Sequence, residues 1–324
     1  MIVLNLEPDG FSAEAIGEVE TFARYRPLPP DVRRGDARFD ALLADADVIW
    51  TRLAHRIDAD LLDRAPRLRA VASATTGLNH VDTAACAVRG IGVVSLRGEA
   101  AFLSTITATA ELTLSLMLEC MRRTGRAHRS VVEEGVFDRD RFVGLQLAGR
   151  TLGIVGLGRL GSIVAEYGKA LRMRVLFCDP RTDAELDPPA FATRVSFDAL
   201  LAESDVVSLH ASHSPGAARL FDAAAFARMR PGAVFVNTAR GELVDEPALL
   251  DALRGGRLAA AAVDVLDDEV ARAPLGLAHP LVAYAREAAN LVVTPHIGGA
   301  CRDAMAATEC FVAKKLRAFL ADPG

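Results

Sequence analysis

The chain has 324 residues, which suggests two domains, because single hydrophobic cores stop growing at around 250–300 residues. Half of it is apolar and a quarter charged, too hydrophobic for disorder. The 37 basic and 42 acidic side chains leave a net charge of −5 with no long basic run, which disfavours general nucleic-acid binding. The oiliest stretches, 112–121 and 258–263, are short or interrupted by Glu119 and Asp264. A membrane-spanning helix needs about 18–20 uninterrupted apolar residues, so none is expected. The opening MIVLNLEPDG lacks a basic region and carries Glu7 and Asp9, unlike a signal peptide. Five scattered cysteines without a C-x-x-C pair suit a reducing cytoplasm, and no metal site is expected.

In chain order, residues 2–6, 47–50, 70–74 and 92–96 read as strands of a first domain, with a helix at 59–65 and a loop punctuated by Pro27, Pro29 and Pro30. Residues 104–123 read as one helix, apolar nearly all round, to be buried between domains or against a second subunit. From Arg150 strands and helices alternate. Strands are expected at 152–155, 174–178, 206–210, 234–237, 260–265 and 291–294. Helices are expected at 160–171, 197–203, 223–229, 246–254 and over the last 20 or so residues. Such alternation implies parallel strands joined by crossover helices, a doubly wound α/β sheet.

Gly156-Leu157-Gly158-Arg159-Leu160-Gly161 follows the strand TLGIV and opens a helix, the context a dinucleotide-binding turn requires. Gly156 permits the turn, Gly158 lets backbone approach a pyrophosphate, and Gly161 allows close helix–strand packing. The helix start supplies amide donors for an anion. Asp179, at the end of the next strand, suits the adenosine ribose hydroxyls and would repel a 2′-phosphate. NAD is therefore favoured over NADP, although Arg181 stands nearby.

Three further segments end on candidate catalytic side chains. Arg240 follows the strand ending in Asn237, and its guanidinium fork suits a carboxylate. His296 follows Thr294-Pro295, and an imidazole exchanges protons near neutrality. Between them the run Asp264 to Glu269 offers carboxylates, one of which beside His296 would favour the imidazolium and fix its orientation. Taken singly, Arg240 also suits a surface turn, His296 a structural histidine and Glu269 a solvated loop. Their order on successive strand ends after a nucleotide turn favours the catalytic reading.

The segments TTGLNHVD (75–82), GLGRLG (156–161), FCDP (177–180), SLH (208–210), NTARGELVDEPAL (237–249), AAVDVL (261–266) and TPHIGGA (294–300) resemble the D-isomer-specific 2-hydroxyacid dehydrogenase family, close to its phosphoglycerate-dehydrogenase-like members. The resemblance implies two Rossmann-like domains, with 1–100 and 297–324 as a discontinuous substrate domain and 101–296 as the NAD-binding domain. It implies that Arg240 binds the substrate, His296 is the acid/base and Glu269 pairs with it. Arg159, Leu160, Asp179, His210, Thr238, Ala239, Asp264, Gly298 and Gly299 would line the NAD site with the glycine turn. Thr76, Gly77, Leu78 and Asn79 would help hold a small anionic 2-hydroxy or 2-keto acid, with Arg52 available for an anionic tail. It further implies a homodimer through the helix at 104–123.

The chain departs from the family in several places. Glu269 precedes Val270 instead of proline, which leaves Asp268 a rival for the pairing role, and residues 271–289 form a longer insertion. Ala-Ser-His-Ser follows His210 where Pro-Leu-Thr is common, with His213 read as a solvated loop residue. Ser73 stands where phosphoglycerate-type members often carry a basic residue, and no regulatory domain is expected after the final helix. Phosphite or phosphonate oxidation on the same scaffold is one alternative. A dinucleotide sensor like the C-terminal-binding corepressors is another, disfavoured because no large exposed apolar patch is evident in the sequence.

Overall fold

The computed structural model describes residues 1–212, 219–267, 269 and 276–321. It divides into two compact units, Met1–Ile106 with Ala300–Gly324, and Thr107–Gly299. The expected domain boundaries lie a few residues earlier in the chain.

Among the described residues of the first unit, one parallel sheet contains β1 (Ile2–Asn5), β2 (Arg24–Pro27), β3 (Val48–Thr51), β4 (Ala70–Ser73) and β5 (Gly92–Ser95), in the order β2-β1-β3-β4-β5. Neighbouring residues on each strand go to opposite faces, and both faces are apolar. Leu4, Ile49 and Val71 join one core, while Val3, Trp50 and Ala72 join the other. Burial on both sides explains why these strands read as short continuous apolar runs. The edge strand β2 (RYRP) is the exception and was not expected, because its residues are exposed or half-buried and carry no apolar signal. The helices Ala13–Glu20, Ala59–Asp63 and Thr83–Val88 begin at side-chain caps: Ser12 accepts from the Ala15 amide, Asp58 from that of Leu61 and Asp82 from that of Ala85.

The second unit holds a parallel sheet of β6 (Thr151–Val155), β7 (Arg174–Cys178), β8 (Ala192–Arg194), β9 (Val206–Leu209), β10 (Ala233–Asn237), β11 (Leu258–Val263) and β12 (Leu291–Val293). Its order, β12-β11-β10-β9-β6-β7-β8, is doubly wound, and the direction of winding reverses at β6 and β9. All described pairs are parallel, so the carboxyl ends of the strands share one edge. Ligands of open α/β sheets bind outside that edge, at the switch point.

The helix expected at 104–123 starts only at Ala108 and runs to Arg122, and a separate short helix, Ala100–Leu103, ends just before the expected range. Side-chain hydroxyls explain the break: Ser104 Oγ donates to the Ala101 carbonyl at 2.7 Å and Thr105 Oγ1 to that of Phe102 at 2.8 Å, ending the first helix. By length and composition alone the stretch Ala100–Arg122 is apolar enough to cross a membrane, with a mean hydropathy of 1.4, where no such stretch was expected. Within it Ala110, Leu116, Met117 and Met121 are buried in a core shared with Ile154, Val206, Val234 and Ala262 of the sheet.

Candidate active site

The sheet register lines up the candidate residues. Val155, Leu209, Asn237, Val263 and Val293 are successive partners across β6, β9, β10, β11 and β12, and Cys178 of β7 pairs with Val155 on the other side. One to three residues past these partners come Gly156, Asp179, His210, Arg240, Asp264 and His296. They form a row along the carboxyl edge. Arg240 and His296 leave strands two apart, roughly 10 Å at the backbone.

At the switch point Gly156 has φ +93°, and a Cβ there would lie 2.7–2.9 Å from the backbone of His210 and Ala211. A Cβ at Gly161 would clash with the Gly156 carbonyl oxygen. Gly158, by contrast, faces open space; the nearest atom to a Cβ there would be an Arg181 Nη2 at 3.9 Å. Two glycines thus permit close packing and the third leaves an approach to the amides at the start of the helix Arg159–Ala170. These features fit a dinucleotide pyrophosphate. Burial lowers the pKa of the Arg159 guanidinium at the first helical position.

Asp179 Oδ2 accepts from the Leu157 amide at 2.9 Å, tying the carboxylate to the glycine turn. Arg181 covers it with Nε on Oδ1 and Nη2 on Oδ2, both at 2.9 Å, and its own amide adds a third contact at 3.0 Å. The guanidinium and these amides hold the Asp179 carboxyl below its ordinary pKa despite partial burial. The His210 ring places Nε2 2.8 Å from Ser208 Oγ, and burial pushes its pKa down to about 4, leaving it neutral at neutral pH. Its Nδ1 meets no hydrogen-bond partner among the described residues.

Thr238 is buried, with Oγ1 2.8 Å from Thr113 Oγ1 on the helix Ala108–Arg122. Ala239 donates its amide to Asn237 Oδ1, and Asn237 Nδ2 donates to the Arg240 carbonyl at 3.0 Å, fixing the turn that carries the Arg240 side chain. Arg240 is half-buried, and one Nη1 hydrogen bonds to the Ala239 carbonyl.

His296 adopts φ +52°, a left-handed conformation costing a residue with a Cβ about 1–2 kcal/mol. Its amide donates to the carbonyls of Asp264 (2.8 Å) and Thr294 (3.0 Å). The buried Asp264 carboxylate accepts from Thr294 Oγ1 (2.6 Å) and the amides of Ile297 (2.9 Å) and Gly298 (2.8 Å). Asp264 therefore holds the loop that presents the imidazole, an arrangement the sequence did not suggest. A Cβ at Gly298 would press on Thr109 and Asp264 at 3.0–3.2 Å, while Gly299 faces open space. His296 Nδ1 contacts Glu269 Oε1 directly, both side chains being about a quarter exposed. Glu269 Oε2 accepts from the Leu266 amide at 3.2 Å. The rival Asp268, like His213, lies outside the described residues.

Arg52 and Thr76 to Asn79 belong to the first unit. Ser73 Oγ lies 2.9 Å from Thr75 Oγ1 and 3.3 Å from Nε2 of the buried His80, and Thr75 Oγ1 donates to the Gly77 carbonyl, bracing that loop. Glu7 accepts from Thr51 Oγ1 and the Arg52 amide at 2.8 Å and the Leu53 amide at 3.1 Å. Burial raises its pKa, but these donors outweigh burial and leave it below the ordinary carboxylate value. The Arg52 guanidinium donates to the carbonyls of Glu7 (2.9 Å) and Asp9 and lies 3.9 Å from the buried Glu309 carboxylate. Its fork is engaged within its own unit, as a structural tie.

Known proteins resemble the chain over nearly all its length. A family model for the D-isomer specific 2-hydroxyacid dehydrogenase, NAD binding domain, matches residues 114–298. The glyoxylate reductase of Aeropyrum pernix is 37% identical over 310 residues, covering 93% of this chain and 86% of that protein. The D-3-phosphoglycerate dehydrogenase of Archaeoglobus fulgidus is 36% identical over 306 residues, 94% of this chain but 54% of its own length, so the chain spans about half of that relative. The solved TT0316 protein of Thermus thermophilus superposes with a TM-score of 0.83 at 34% identity, covering 99% of this chain and 97% of that one. The protein belongs to the D-isomer specific 2-hydroxyacid dehydrogenase family and is an NAD-dependent dehydrogenase whose NAD-binding domain lies within Thr107–Gly299.

Proposed function

We propose that the protein reduces a small, unphosphorylated 2-keto acid to the D-2-hydroxy acid, and runs the reverse oxidation, with Arg240 binding substrate and His296 exchanging the proton. The observation that carries this reading is the direct His296–Glu269 contact on the strand edge that also carries Arg240. NAD, when bound, supplies or takes up the hydride. Arg240 holds the substrate carboxylate through its fork and aligns the keto carbon. His296, with Nδ1 on Glu269, donates from Nε2 to the oxygen that becomes the hydroxyl, and in the oxidative direction the neutral ring takes that proton back. Asp264 keeps the imidazole loop in its left-handed turn.

An unphosphorylated acid is favoured because Arg52, the cation that the resemblance offers to an anionic tail, already donates Nη2 to the Glu7 and Asp9 carbonyls. The test is NADH consumption with glyoxylate, hydroxypyruvate and 3-phosphohydroxypyruvate, together with NAD reduction by phosphite. Turnover of the unphosphorylated acids with a higher kcat/KM supports the reading. Preference for the phosphorylated acid overturns the substrate class, and phosphite oxidation alone overturns the reaction.

The ribose role of Asp179 gives a separate prediction. Asp179→Ala removes the carboxylate and frees the Arg181 fork, so NAD affinity falls about tenfold or more while NADP affinity falls less or rises. Calorimetric titration with both dinucleotides measures the ratio, and an unchanged ratio removes Asp179 from cofactor selection.

We also propose a homodimer. Six exposed apolar side chains, Leu118, Val131, Val132, Phe137, Val143 and Leu145, fall within residues 118–145. A cavity of about 1070 Å³ is lined by Arg123, Arg126 and Arg141 alongside Glu119 and Glu133 from the same stretch. Charges of both signs beside apolar groups suit a self-complementary two-fold interface. Sedimentation should give twice the chain mass.

A further inference from the structure

The segment NTARGELVDEPAL presents Arg240, but Glu246 within it has no part in the chemistry above. A glutamate in the first turn of a helix ordinarily faces solvent, where its charge complements the helix dipole. Glu246 instead is buried. Its Oε1 accepts the Asp267 amide at 2.9 Å, and its Oε2 stands 3.5 Å from Nε2 of His279, itself buried ahead of the helix Pro280–Glu287.

Other contacts converge on the same two residues, Leu266 and Asp267. A Cβ at Gly241 would clash with the Leu266 carbonyl carbon and the Asp267 nitrogen, so the backbone beside Arg240 rests directly on them. Arg219 binds the Asp267 carboxylate at 3.0 Å and that of Asp245, the neighbour of Glu246, at 3.2 Å. The Leu266 amide in turn donates to Glu269 Oε2, leaving Oε1 toward His296. Glu269 is thus placed by reference to Leu266–Asp267, and that segment is placed by reference to Gly241 and Glu246.

We propose that Glu246, backed by His279, is a positioning residue that sets the Glu269 carboxylate against His296. One motif then performs two tasks, presenting the substrate-binding guanidinium and seating the carboxylate that orients the acid/base. This rests on the acid/base reading of His296. Glu246→Gln keeps an oxygen for the Asp267 amide, whereas Glu246→Leu keeps the bulk and loses the acceptor. The expected result for Glu246→Leu is a kcat lowered about tenfold or more with little change in keto-acid KM. The downfield imidazole N–H proton resonance of the His296–Glu269 contact, assigned by its absence in His296→Asn, is lost or broadened in Glu246→Leu. Glu246→Gln restores both. Leu249→Ala, on the same helix, serves as a variant that loosens packing without removing the acceptor for the Asp267 amide, and it should keep the resonance. If Glu246→Leu retains wild-type kcat and resonance, or if it differs from Leu249→Ala only in stability, the proposal is overturned. If His296→Asn itself turns over normally, the acid/base reading fails, while the resonance still decides whether Glu246 seats the contact.

Discussion

His296→Ala is expected to lower kcat for keto-acid reduction by about 10²- to 10⁴-fold, the usual contribution of a positioned acid, which is the role proposed for it. Position 296 is left-handed, so alanine adds backbone strain of its own. Asparagine tolerates that conformation better, and His296→Asn should show the same kinetic loss without the strain. NAD binding by calorimetry should change little in either variant, because Asp264 still anchors the surrounding loop through Thr294, Ile297 and Gly298. A rate near wild type in both variants would place the proton donor elsewhere.

Arg240→Ala is expected to raise KM and lower kcat together, because in the proposed role the guanidinium both binds and aligns the substrate. Loss of a charge-assisted contact worth about 1.5–3 kcal/mol corresponds to roughly 10- to 150-fold in kcat/KM, and lost alignment adds to it. Arg240→Lys should recover only part, because an ammonium is a point charge without the planar fork. Steady-state kinetics with varied keto acid separates the two parameters. Unchanged kinetics would leave Arg240 as a turn residue held by Asn237.

Much of this architecture was legible in the sequence, for physical reasons visible in particular residues. Strands such as Val206–Leu209 and Ala233–Asn237 are buried on both faces and so read as apolar runs between helical patterns. The glycine turn is legible because backbone crowding at Gly156 and Gly161 excludes side chains. The edge strand Arg24–Pro27 was hidden by its polar residues, and the helix break near Ser104 by hydroxyl-to-carbonyl bonds that leave no hydropathy signal. Spacing alone did not decide between Asp268 and Glu269; the Glu269–His296 contact depends on how the chain turns after Leu266. Asp264 and Glu246 were the least legible. One resembles a cofactor-facing strand end and the other a helix-start acid, yet both accept backbone amides of loops distant in sequence.

Tracing a label from NADH dideuterated at C4 shows whether the hydride passes from the nicotinamide to the keto carbon. With a small 2-keto acid and the wild-type protein, deuterium is expected on C2 of the product, and chiral chromatography is expected to give a D-configured hydroxy acid. Product of the L configuration, product without deuterium, or no product from protein that binds NADH would contradict the proposed reaction.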